Sequence, residues 1–231
     1  MANTQPVSGH LQLILANINR EKTLRFLQFY AKFYIWTKST HIRKGGSPAQ
    51  LETWKLLIKQ IILIRRLSRL GRNVAYLQDA ARLLVLGKSG QEDAVVYCAS
   101  VGHKLGLAGY LTCDAIVALD TLGLLPLKGL SVDQTQKQSS LWWAFSITCN
   151  LAVCLHGLRA RRLQRPGCNY YQLHIRIFSL LCDLVIAVAP LSNRQPGDGI
   201  IGLCGMSSTV LNVWLSMQQS QSKSNANVGA S

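Results

Sequence analysis

The sequence predicts an all-α, membrane-associated protein with amphipathic helices in its N-terminal part and hydrophobic, transmembrane helices in its C-terminal part. Of 231 residues, 25 are Lys or Arg and 10 are Asp or Glu, yet 48% are hydrophobic. The mean hydropathy of +0.16 is high for so basic a chain. The charge is also uneven: up to residue 90 there are 15 Lys and Arg against Glu21, Glu52 and Asp79, and the long uncharged runs come later. A positive excess calls for an anionic partner: nucleic acid, an acidic protein or a membrane surface. A nucleic-acid binder has no use for apolar runs of bilayer length, so the membrane is preferred. The chain divides into a basic helical region (1–90), a hydrophobic helical region (91–217) and a disordered polar tail (218–231).

Residues 11–38 read as the first helix. Phe26, Phe29, Tyr30 and Phe33 recur at i, i+3, i+4 and i+7 and form a stripe expected to be buried. Gly45-Gly46-Ser47-Pro48 then breaks the chain, with Ser47 and Pro48 suited to the cap and first position of the next helix.

Residues 51–72, LETWKLLIKQIILIRRLSRLGR, interleave cations with large apolar groups. At about 100° per residue, Trp54, Leu57, Ile58, Ile61 and Ile64 share one arc, and Lys55, Lys59 and Arg66 another with Arg69 beside them. Such a helix can lie in a membrane interface, its apolar arc among acyl chains and its cations on lipid phosphates. A core helix whose long basic side chains reach to solvent has the same composition. Two irregularities matter: Arg65 falls inside the apolar arc, and Leu56, Leu63, Leu67 and Leu70 form a second apolar strip. One strip suits lipid and the other a neighbouring helix. Gly71 offers a hinge before the pattern runs on to Leu86 and stops at Gly87-Lys88-Ser89-Gly90.

Residues 94–125 are apolar but carry His103, Lys104, Asp114 and Asp120, and a Lys or Asp at bilayer centre costs about 2.5–3.5 kcal/mol. No span is expected there. Gly102, Gly106 and Gly109 are read as small residues for close helix packing. After a polar linker (126–140), residues 141–158 are uncharged over roughly 27 Å of helix. Trp142 and Trp143 stand at one end, and Arg159, Arg161, Arg162 and Arg165 lie beyond the other. Residues 177–189 are apolar around Asp183, a polar group with either an interhelical partner or a functional role. Residues 199–217 form a second uncharged run with Gly202, Gly205, Ser207 and Ser208 for close packing. If 141–158 and 199–217 both cross, the N-terminal region and the tail share one side of the membrane.

Catalytic and metal chemistry have no evident carrier. The five histidines form no H-x-x-x-H pair and the seven cysteines no C-x-x-C pair, so no metal site and no cofactor are expected. The N-terminus lacks the composition of a secretory signal, which leaves targeting to internal segments.

Four segments together resemble the peroxin-11 family of peroxisomal membrane proteins, in its fungal form. Arg20-Glu21-Lys22 followed by Arg25, Gln28 and Phe33 is similar to its N-terminal signature R-E-K…R-x-L-Q-Y-x-A-R-F, with Phe29 and Lys32 replacing the usual Tyr and Arg. Tyr110-Leu111 with Asp114, then Leu180 to Asp183, then Gly202 and Gly205 with Ser207-Ser208, resemble three later family segments in the family's order. Leu211 and Asn212 depart from it, standing where a glycine is commoner. The resemblance implies a non-enzymatic peroxisomal membrane protein that promotes organelle elongation and fission. It further implies membrane binding by residues 51–72, self-association, and cooperation with a dynamin-type GTPase and its tail-anchored adaptor. The alternative is a pore or transporter for small metabolites with Asp114, Asp120 and Asp183 in its lining. A nucleic-acid binder using Arg65, Arg66, Arg69 and Arg72 is the least favoured reading.

Overall fold

A computed structural model describes residues 7–42, 49–87, 93–124, 131–162, 170–192 and 197–228. These form seven helices: α1 (Val7–Ile42), α2 (Ala49–Leu67), α3 (Arg72–Leu86), α4 (Ala94–Thr121), α5 (Val132–Arg162), α6 (Tyr170–Val188) and α7 (Asp198–Val228). A 3-10 turn, Ala189–Leu191, extends α6, and no strand occurs among the described residues. The breaker at 45–48, most of the stop at 87–90 and the far part of the arginine cluster at 159–165 lie outside them.

The basic segment is two helices rather than one. α2 ends at Leu67, where Ser68 Oγ and Arg69 Nε both donate to the Arg65 carbonyl at 2.9 and 3.0 Å. Gly71 then adopts φ +82°, a conformation in which a Cβ is strained, and the chain turns into α3. The supposed linker 126–140 is also shorter than expected. From Val132 it forms the first turns of α5, whose Thr135, Ser139 and Ser140 are buried, with Ser139 Oγ donating to the Tyr110 carbonyl. The stretch read as a disordered tail is helical in backbone to Val228.

α4 lies against α3 and α5, α6 against α5 and α7, and α1 against α2 and α7. Glycines set the closest approaches. A Cβ on Gly106 would stand 2.8 Å from Ser146 Cβ, and one on Gly202 would stand 2.8 Å from Phe33 Cβ. At Gly205 it would overlap the Phe29 ring, and at Gly199 the Trp36 indole. The small residues of α7 therefore admit the aromatic stripe of α1. That stripe is divided: Phe29 is buried and Phe33 half-buried, whereas Phe26 and Tyr30 face outward.

The bundle buries polar groups beside its apolar core and leaves much apolar surface outside. Among the described residues, the largest fully buried side chains are Ser139, Ser146, Ser179 and Ser208, and Gln28, Asp114 and Asp183 are buried with them. Outside, Leu141, Phe145 and Leu155 of α5, Phe178, Leu181 and Val185 of α6, and Leu203, Val210 and Met217 of α7 are exposed. Large apolar surface of this extent marks contact with something other than water. Among the described residues, three helices are long and apolar enough to cross a membrane: Val132–Arg159, Tyr171–Leu191 and Asp198–Gln218. The middle one was not expected as a span. Asp183 interrupts its apolar run, but that carboxylate faces inward and is paired. If all three cross, the start of α5 and the end of α7 fall on opposite sides, unlike the two-span arrangement.

Candidate membrane face and cationic core

The residues of the N-terminal signature fasten α1 to its neighbours. Glu21 pairs with Arg72 and stands 3.8 Å from Arg69. Lys22 donates to the Ser216 hydroxyl of α7 and Arg25 pairs with Asp183 of α6, which also accepts from Ser208 of α7. Gln28 accepts from Arg65 of α2. Asp114 of α4 is shared by Arg66 and Arg69, each 2.8 Å away, and Arg66 reaches Gln136 of α5 as well. Arg69 also donates to the Tyr110 hydroxyl at 2.7 Å, with its guanidinium over that ring. Arg20, by contrast, is exposed.

This network redistributes the expected membrane-binding residues. Ile58 and Ile61 are 9% and 3% exposed and face the interior, with Trp54 tilted against Tyr34 of α1 at 4.9 Å between ring centroids. Arg65, Arg66 and Arg69 are turned toward partners within the bundle too. The cause is register: Ile58, Ile61 and Arg65 share the arc of α2 that packs on α1 and α4. Burial, with the cations of Arg69 and Arg25 nearby, lowers the Arg65 guanidinium to about 10, while Arg69, beside Tyr110 and Asp114, is raised.

The outward face of α2 is built from both predicted strips. Leu57 and Ile64 come from the first and Leu56 from the second, the latter two 50% and 58% exposed. Lys55, on Glu52 at 2.8 Å, and Lys59 are exposed beside them. The face continues past the turn through Leu70, Val74, Leu77 and Leu84, which are all exposed. Leu70 belongs to the second strip read from the sequence, whereas Val74, Leu77 and Leu84 of α3 were missed, although their spacing of three and seven residues was visible.

Between α1, α2, α4 and the C-terminal helices lies a cavity of about 990 Å3 whose wall, among the described residues, includes eight Lys and Arg side chains but only two carboxylates, Glu21 and Asp114. That composition is opposite to an acidic pore lining. Asp114 and Asp183 are each occupied by arginine, and Asp120 is not among the lining residues.

A model of the family described as peroxisomal biogenesis factor 11 matches residues 11–167. Among curated proteins, the chain is 26% identical to peroxisomal membrane protein 11B of Bos taurus, over 84% of this chain and 90% of the relative. It is 25% identical to peroxisomal biogenesis factor 11 of Schizosaccharomyces pombe, over 84% and 88%. The peroxisomal membrane protein PMP27 of Saccharomyces cerevisiae is also 25% identical, over 68% and 61%. No solved structure matches. The family match spans α1 to α5, including Glu21, Arg25, Gln28 and Asp114, whose pairings hold the bundle together, and the chain belongs to the peroxisomal biogenesis factor 11 family of peroxisomal membrane proteins.

Proposed function

We propose that this chain is a non-enzymatic protein that remodels the peroxisomal membrane, promoting elongation and fission. The observation that carries the reading is the outward face of α2, where Leu56, Leu57 and Ile64 stand exposed beside Lys55 and Lys59. Its apolar side chains enter the acyl region of one leaflet while the lysines meet lipid phosphates, each worth on the order of 1 kcal/mol near an anionic surface. Insertion into one leaflet expands it relative to the other and curves the bilayer. The ion pairs of Arg66 and Arg69 hold the rest of the bundle behind this face, so that insertion is transmitted to α4 and α5. Self-association, with recruitment of a dynamin-type GTPase through its adaptor, would gather the curvature into a tubule.

The test is tubulation of phosphatidylcholine–phosphatidylserine vesicles by the full-length protein. Leu56→Asp with Leu57→Asp should abolish tubulation and leave the helical content unchanged. Equal tubulation by that folded variant would reject the reading.

A further inference from the structure

Wedging at the surface of α2 shares only Lys59 with the cationic cavity. At about 990 Å3, it is near the upper end of the ~300–1,000 Å3 common for small-molecule sites. Its two carboxylates are already occupied, Asp114 by Arg66 and Arg69 and Glu21 by Arg72 with Arg69 nearby. Arg65 has no such partner. Its side chain donates to the neutral amide of Gln28, and its Nε is buried without a hydrogen bond among the described residues. Lys32, one turn beyond Gln28 on the same face of α1, lines the cavity as well, with Asp198 of α7 as its acidic neighbour. Burial lowers both cations even though Asp198 acts on Lys32, and Tyr110 and Glu21 on Arg65, in the opposite direction. Part of the wall is apolar: Phe29, Ile186, Ala189 and Ile201 pack as one cluster and face the same space.

We propose that this cavity binds an amphipathic organic phosphate, its head held by Arg65 and Lys32 and its apolar part lying on Phe29, Ile186 and Ile201. A phosphate fits because guanidinium groups bind it through paired N–H donors, and a dianion offsets more of the wall's excess charge than a carboxylate does. An acidic lipid drawn from the bilayer and a phosphate ester drawn from water share this chemistry. Lys59 is common to the outward face of α2 and the cavity wall, but Leu56 and Leu57 do not line the cavity, so substitutions at those two leucines separate binding from remodelling.

The full-length protein in phosphatidylcholine nanodiscs, titrated calorimetrically with decyl phosphate against empty discs, tests the site. Saturable binding in excess of the empty discs is expected, and decyltrimethylammonium should give none. Inorganic phosphate, which lacks the apolar part, should bind at least about tenfold more weakly. Arg65→Gln with Lys32→Gln should weaken decyl phosphate by about tenfold or more, whereas Leu56→Asp with Leu57→Asp should leave it unchanged. Phosphatidic acid placed in the disc distinguishes the sources: competition supports a ligand arriving from the bilayer, and its absence one arriving from water. No binding beyond empty discs, binding unchanged in the folded double variant, or equal binding of the ammonium would overturn the proposal. Should the double variant not fold, the wild-type comparison of decyl phosphate with decyltrimethylammonium decides alone.

Discussion

Asp114 and Asp183 show how a carboxylate is tolerated inside an apolar bundle. The Asp114 side chain is 6% exposed and lies between two arginines. Removing one partner of a buried ion pair leaves the other charge uncompensated and costs about 3–5 kcal/mol. Asp114→Asn is therefore expected to lower the unfolding temperature sharply in detergent, with Arg66 and Arg69 both left short of an anion. Asp183→Asn should act similarly but less severely, because the amide oxygen can still accept from Arg25 and Ser208. A scanning thermal melt of the two purified variants checks the order. The chemistry of these positions was legible in the sequence, where a lone Asp in an apolar run signals a partner. The identity of the interhelical partner of Asp183 was not: it is Arg25 from α1, 158 positions away.

α1 and α2 owe their placement to complementary surfaces. Gly202 and Gly205 admit Phe33 and Phe29, and a side chain at Gly205 would occupy the space of the Phe29 ring. Gly205→Leu is expected to displace α1 from α7 and to expose new protease sites in α1, with overpacking strain of about 1–3 kcal/mol or more. Undiminished protection of α1 would show that this contact does not hold the helix. For α2, two pairs of substitutions should behave oppositely. Ile58→Asp with Ile61→Asp places charge in the packed interface and should destabilise the fold, whereas Leu56→Asp with Leu57→Asp alters an exposed face and should preserve it. Circular dichroism melts separate these outcomes. Helix positions and the Gly71 break could be read from periodicity, but the direction each face turns could not. When both lipid and protein interior are apolar, the same arc satisfies either; only Arg65, placed within the arc and needing a polar partner such as Gln28, marked it as the inward side.

The whole molecule leaves a wide apolar perimeter outside and buries serines, an amide and ion pairs beside its apolar core. This arrangement follows if the bundle lies in lipid, where interhelical hydrogen bonds and close glycine contacts associate helices without a hydrophobic drive. The all-helical class and two of the three candidate spans were evident from uncharged runs. The third was hidden by Asp183, and the cationic cavity by its assembly from helices distant in sequence. The protein is expected to remain with peroxisomal membranes through high-salt extraction, since its apolar perimeter does not depend on surface charge; release into the supernatant would contradict that arrangement. The central claim, that the outward face of α2 deforms the peroxisomal membrane, is tested most directly by peroxisome length and number in cells expressing the protein at matched abundance. Cells carrying Leu56→Asp with Leu57→Asp, or Lys55→Glu with Lys59→Glu, should show correctly located protein but few, rounded, unelongated peroxisomes, as in cells lacking the gene. Elongation equal to wild type by both variants would contradict the claim.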